Sequence, residues 1–264
     1  MNAAALGSLL AAVPLLAGAA WLRPPAAAAG AARVRALARP FVLPLLWRGL
    51  REARIEEPPE AMAARGQQLL ALVPTWTDGN VLFASQLALA ASARAHGAAE
   101  AADRLLAGLA LLEQARRQDP AGTVEYLTTA ASFVEIASAR DPALATELRD
   151  RLGEPPDQIA DAFLRRAEAA SPSESIADRR TYLLATAIAA ALRTEDDARA
   201  LATIERMRQR LSTAVDRQLA EQWSASLARL DGFLRGDPSV TRDTLKDDPL
   251  LRDMVEALNA RGPR

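Results

Sequence analysis

Apolar residues recur at intervals of three and four along most of the chain, the spacing typical of amphipathic helices. One such stripe consists of Ala198, Leu201, Ile204, Met207 and Leu211, with polar residues on the opposite face. No segment alternates apolar and polar residues for long enough to suggest a strand. Short connections favour antiparallel hairpins of helices. The predicted helices are 41–56, 59–73, 79–96, 98–118, 121–140, 142–152, 156–169, 174–193, 195–212, 214–234 and 249–260.

Helix boundaries are marked by capping residues. Aspartate precedes proline at four places, Asp119, Asp141, Asp237 and Asp248. An aspartate side chain accepts hydrogen bonds from the amides of a first turn, and a proline at the first helical position loses no intrahelical bond. Residues 171–174 match a capping box that begins at Ser171, and Thr194 precedes three acids as an N-cap does.

The beginning of the chain has a different pattern. Ala3 to Leu22 is a run of twenty residues without a charge. About 20 apolar residues, each adding about 1.5 Å, match the hydrocarbon core of a bilayer. We therefore expect a transmembrane anchor over residues 1–24, with Trp21 at the level of the headgroups. A cleaved signal peptide and an apolar helix packed on the chain's own domain are the alternatives.

Charge predicts which way the anchored chain faces. Residues 25–39 read as a linker rich in Ala, Pro and Arg, and residues 40–264 as the helical domain. Basic residues without an acid follow the apolar run, namely Arg23, Arg33, Arg35 and Arg39. Because such residues favour the cytoplasmic side, we expect a single-pass protein of a bacterial inner membrane with a cytoplasmic domain, the periplasm being the alternative. The same arginines are candidates for contact with anionic headgroups.

Composition excludes several classes of function. Residues 1–54 carry a net charge of +6, which leaves −7 for the rest and argues against nucleic-acid binding. The chain has no cysteine, so disulfides, thiolate catalysis and cysteine-based zinc sites are excluded. His96 is the only histidine and is interpreted as an exposed residue at a helix end. The sequence predicts no catalytic residue, no cofactor and no metal site.

Aromatic residues are the remaining candidates for a binding surface, because Trp and Tyr are enriched at interface hot spots. Most lie on apolar stripes and are expected in the core. Trp76 follows Pro74 in a turn, where core packing explains it least, and Tyr126 and Glu125 are further candidates for contact with a partner. The apolar stretch 40–47 is expected to form the first helix of the domain, with a place in the membrane interface as the alternative.

One stretch resembles a known repeat family. The residues that carry the resemblance are Gly108, Leu112, Ala115 and Asp119 with Pro120, and in an earlier unit Trp47, Leu50, Ala63 and Leu70. They match positions of the tetratricopeptide repeat, which residues 41–120 therefore resemble. Arg51 and Arg54 depart from the motif, which prefers a glycine and an aromatic residue there. The resemblance implies an α-solenoid whose concave face binds peptide segments of other proteins.

These observations predict an all-α protein, with antiparallel hairpins stacked as a solenoid behind one transmembrane helix. Its expected function is that of a non-enzymatic scaffold or adaptor for protein–protein interactions at a bacterial membrane. A structural subunit of a stable membrane complex is one alternative. A helical protein that binds a small ligand is the other, and it predicts a pocket with converging polar groups.

Overall fold

The computed structural model describes residues 41–48, 59–214 and 216–261, with only the backbone at 59–64. Within these ranges the chain is helical and contains no strand, as the sequence predicted. The predicted anchor, the linker and the arginines at 23, 33, 35 and 39 lie outside the described residues. Among the helices that are described, none is long and apolar enough to cross a membrane.

Twelve helices make up the described part of the chain. They are α1 (41–48), α2 (Pro59–Leu72), α3 (Thr77–Ser85), α4 (Ala98–Gln118), α5 (Thr123–Arg140), α6 (Pro142–Leu152), α7 (Pro156–Ala170), α8 (Glu174–Arg193), α9 (Asp197–Leu211), α10 (Arg217–Leu234), α11 (Arg242–Lys246) and α12 (Arg252–Ala260). Helix α3 continues through a π-helical turn, Gln86–Ala91, into a 3₁₀ turn, Ser92–Arg94. Where the structure describes them, the predicted bounds agree closely with these, but α11 was not predicted. The predicted end of the first helix, at residue 56, lies outside the described residues.

The Asp-Pro pairs have different roles. Asp141 and Asp248 cap the elements that follow them, because their carboxylates accept from the amides of Ala143 and Leu250 at 2.9 and 3.0 Å. Asp237 accepts from the amide of Ser239 in a turn that no helix follows directly. The side chain of the remaining aspartate, at 119, makes no cap and bonds to other side chains instead.

Two predicted caps were wrong. Helix α7 extends to Ala170, so Ser171 ends that helix, and α8 begins at Glu174 without a side-chain cap. Thr194 likewise ends α8. The N-cap of α9 is Asp196, whose carboxylate accepts a hydrogen bond from the amide of Arg199 at 3.0 Å. The residue before it, Glu195, has a left-handed backbone conformation.

Helices α2 to α6 enclose a first core and α8 to α12 a second. Phe83 and Leu105 are fully buried in the first core, and Ile188 and Ile204 in the second. Helix α7 joins the two, because it packs extensively on α5 and also contacts α8. In the second half, α8 contacts α9 as well as the final helix, α12.

Carboxylates of α7 form ion pairs with arginines of the following helices. Arg180 on α8 is 8% exposed and donates to Asp161 and Glu168. Burial alone would lower the pKa of Arg180, but the two carboxylates outweigh it and the pKa is raised. At the start of α7, Asp157 pairs with Arg199 of α9. These pairs fix α7 against both α8 and α9.

Candidate functional site

An open apolar cleft lies between α1 and the helices that follow it. It encloses about 470 Å³ and is lined only by apolar side chains, those of Leu43, Pro44, Trp47, Leu69, Val73 and Trp76. We call it the Trp cleft. Apolar pockets that remain open to solvent are typical places for a ligand or a partner to bind, because burying them is favourable.

Trp76 forms one wall of the Trp cleft. It precedes α3 directly and its ring is tilted against that of Trp47, with 5.6 Å between the ring centroids and 58° between the planes. The Trp76 ring also lies on Gly79, where an added Cβ would come within 2.2 Å of the ring. The absence of a side chain at Gly79 is therefore what allows Trp76 to lie flat on the first turn of α3.

Buried hydrogen bonds hold the turn that carries Trp76. The side-chain amide of Asn80, 3% exposed, donates to the carbonyl oxygens of Pro74 and Trp76, at 3.1 Å each. It also approaches the hydroxyl of Tyr126 at 3.4 Å, and that hydroxyl donates to the carboxylate of Asp119 at 3.0 Å. These bonds tie the turn to the beginning of α5.

The same carboxylate accepts a hydrogen bond from a second side chain, which lies at the start of α3. Thr77 donates its hydroxyl hydrogen to Asp119 at 3.0 Å. Burial, the largest effect, raises the pKa of Tyr126, so its hydroxyl stays protonated and keeps donating to Asp119. The cluster of Thr77, Asn80, Asp119 and Tyr126 therefore holds the turn that positions Trp76.

Helix α1 presents apolar side chains to solvent beside the cleft. Its inner residues Leu43 and Leu46 pack against the first core, as expected for the first helix of the domain. On the opposite face, Phe41 is 66% exposed and Leu45 is 56% exposed. Residues four apart on a helix lie on the same side, so these two form one apolar surface next to the cleft.

The candidate residues from the sequence separate in the structure. Trp76 lines the cleft. Tyr126 is 1% exposed and lies in the core, so it holds the turn but is not accessible to a partner. Glu125 is exposed on α5 but is not part of the cleft. His96 is exposed beyond the end of the α3 segment, as interpreted from the sequence.

Sequence reasoning did not single out Trp47, one of the aromatic residues of which most were expected in the core, and it is 39% exposed. Its position at the end of an apolar stretch was the available signal. In the part of the chain that is described, no group of three or more acidic or histidine side chains could hold a metal ion. Comparisons of the chain with protein-family models, curated proteins and solved structures find no match.

Proposed function

We propose that the protein is a non-enzymatic, membrane-anchored adaptor that binds a partner protein at the Trp cleft. The observation that carries the proposal is the cleft itself, an open apolar surface with two tryptophans in its wall. Aromatic side chains at the centre of a desolvated patch supply most of the binding energy in many interfaces.

The chemistry of the cleft favours an amphipathic helix of the partner. Helices bind apolar grooves through residues spaced three and four apart, and such grooves need few polar groups. The exposed side chains of Phe41 and Leu45 extend the apolar surface beyond the cleft. A partner helix would bury both surfaces at once.

The arrangement of the helices supports a solenoid like that of the tetratricopeptide repeat. Helix α4 contacts α3, α5 and α6, and α5 contacts α7, so in the first half of the described chain helices meet both their next neighbours and the ones after. Stacked hairpins have this order of contacts. Gly108, a small position of the motif, lies against the backbone of the preceding helical segment at Ala84 and Ala88.

The uncharged run at residues 3–22 supports an anchor, and the arginines that follow it favour a cytoplasmic domain. Tethering the domain to a membrane would raise its effective concentration toward partners on the same surface. The adaptor would thereby recruit its partner to the inner face of the membrane.

Site-specific photocrosslinking tests the proposal in cells. A photoreactive phenylalanine derivative replaces Leu45, beside the cleft, and in a matched control it replaces Tyr182, which is 72% exposed on α8. We expect a discrete protein adduct from position 45 that position 182 does not give and that Trp47→Ala abolishes. Adducts only with lipid or with the chain itself, or the same adducts from both positions, would contradict the proposal.

A further inference from the structure

Helix α1 itself carries the features that the Trp cleft requires of an occupant. A helix that binds an apolar groove presents apolar side chains three or four residues apart. Phe41 and Leu45 are four residues apart on one side of α1, and they are 66% and 56% exposed. Each of these side chains therefore keeps most of its surface free for contact with a second molecule.

The charge and the size of α1 match the cleft as well. The sequence contains no charged residue from Phe41 to Trp47, and the side chains that line the cleft are all apolar. A cavity of about 150 Å³ is enough to hold a benzene ring. The cleft, at about 470 Å³, therefore has room for the side chains of Phe41 and Leu45 from another copy. Contact between the two surfaces would bury no charge without a partner.

The groove and the helix that fits it lie side by side on one copy of the chain. Leu43, Pro44 and Trp47 of α1 line the cleft, and the same helix carries Phe41 and Leu45. Two copies related by a two-fold axis can therefore exchange these surfaces, so that α1 of each copy lies in the cleft of the other. Such a contact uses the same patch on both copies and closes after two, as in most homo-oligomers.

The chain that precedes α1 favours an encounter between copies. The uncharged run ends at Leu22, and the 18 residues 23–40 connect it to Phe41. A stretch of this length spans at most about 60 Å, so the anchor expected from the sequence would keep α1 of every copy close to the membrane. Anchored copies face the same way, which is compatible with a two-fold axis along the membrane normal. Their confinement also raises the effective concentration of one copy for another.

We propose that α1 of a second copy covers the Trp cleft when no partner is bound, so that the partner-free protein is a homodimer. The partner would then displace α1, and recruitment would depend on competition between dimer and partner. This regulatory role rests on the adaptor function proposed above, whereas the dimer itself rests only on α1 and the cleft. A bilayer surface is the competing occupant of α1, and it would leave Leu45 away from Val73 of any other copy.

Disulfide trapping tests the dimer, because the chain has no cysteine of its own. Two full-length chains with different tags, one with Leu45→Cys and the other with Val73→Cys, are overexpressed together and oxidised in permeabilised cells. We expect a mixed disulfide that carries both tags, because α1 in the cleft brings position 45 of one copy next to position 73 of the other. Tyr182→Cys replaces Val73→Cys in the control, since Tyr182 is 72% exposed on α8 and should not form a disulfide with position 45.

A charge on α1 tests whether the disulfide reports on the proposed contact. Phe41→Glu, added to the chain with Leu45→Cys, would place a carboxylate without a partner in the apolar cleft, so the yield of mixed disulfide should fall about tenfold. Phe41 is 66% exposed, so the fold should be kept, and thermal unfolding verifies this. Tyr182→Glu in the same chain is the matched control and should leave the yield unchanged.

The proposal is overturned if positions 45 and 73 form no mixed disulfide, which is also the result expected if a bilayer covers α1. It is overturned as well if position 182 traps position 45 equally, or if Phe41→Glu leaves the yield unchanged. Photocrosslinking from position 45 separates this proposal from the adaptor function. A discrete partner adduct without the mixed disulfide would contradict only the dimer, and the mixed disulfide without a partner adduct would contradict only the adaptor.

Discussion

Replacing Gly108 with alanine tests the closest packing between helices in the first core. A Cβ at this position of α4 would lie 2.7 Å from Cβ of Ala88, 2.9 Å from the carbonyl oxygen of Ala84 and 3.0 Å from the amide nitrogen of Ala88. Two of these three neighbours are backbone atoms, which cannot rotate away. The helical segment formed by α3 and its π-helical turn must therefore move.

Two opposing effects set the size of the change. Alanine favours a helix interior over glycine by about 1 kcal/mol. Overpacking a well-packed site costs about 1–3 kcal/mol, and displaced backbone places this contact toward the upper end. We expect Gly108→Ala to lower the free energy of unfolding by about 1–2 kcal/mol and the melting temperature by roughly 2–8 °C.

Gly232 on α10 is the matched control. A Cβ there would have its nearest neighbour, Cγ2 of Val240, at 3.5 Å, an ordinary contact. Gly232→Ala should therefore stabilise the protein by about 0.5–1 kcal/mol through helix propensity alone. Urea unfolding followed by far-ultraviolet circular dichroism measures both variants. Equal stabilisation of the two would refute the close approach of α4 to the preceding helical segment.

Further changes probe the Trp cleft and the charged groups. Gly79→Ala should push the Trp76 ring away from α3, because the new Cβ would lie 2.2 Å from that ring. A shift of the Trp76 indole NMR signal measures the displacement, and an unchanged signal would contradict the packing of the ring on Gly79. Hydrogen bonding to Arg116 lowers the pKa of Glu113 from 4.5 to about 2, so its contribution to stability is present above pH 4.5 and is lost as the pH falls through 2. Glu113→Gln should lower the free energy of unfolding by about 0.5–1 kcal/mol at neutral pH. It should also reduce the loss of stability on acidification, and urea unfolding between neutral pH and pH 2 measures both effects. Burial raises the pKa of Tyr126, so the unfolded chain ionises first and stability falls as the pH rises above 10. Tyr126→Phe should remove that part of the alkaline decline in melting temperature, and an unchanged decline would place its cause elsewhere.

Much of the helical architecture could be predicted from local signals. Apolar stripes and capping residues gave the bounds of most helices within a few residues, because both act within one or two turns. Helix α11 was not predicted, because its five residues are too few to show a helical period. The π-helical turn after α3, Gln86–Ala91, has no recognised local signature, and its contacts with α4 connect residues that spacing cannot relate.

The candidate site was harder to predict because its contacts connect distant parts of the chain. Asp119 was read as a cap, but its carboxylate bonds to a threonine 42 residues earlier and to Tyr126. Spacing could not tell which aromatic residues would be exposed. Tyr126, a candidate for contact with a partner, is buried. Trp47, which the sequence did not single out, is 39% exposed and packs against Trp76.

The affinity of the crosslinked partner for purified full-length protein is the most direct test of the adaptor account. We predict that Trp47→Ala weakens binding by about 30-fold, the effect of a hot-spot residue that contributes about 2 kcal/mol. A cooperative thermal unfolding transition verifies that the variant is folded. Tyr182→Ala, which removes an exposed aromatic side chain from α8, should leave the affinity unchanged. Equal affinities of the wild-type protein and both variants would contradict binding at the Trp cleft.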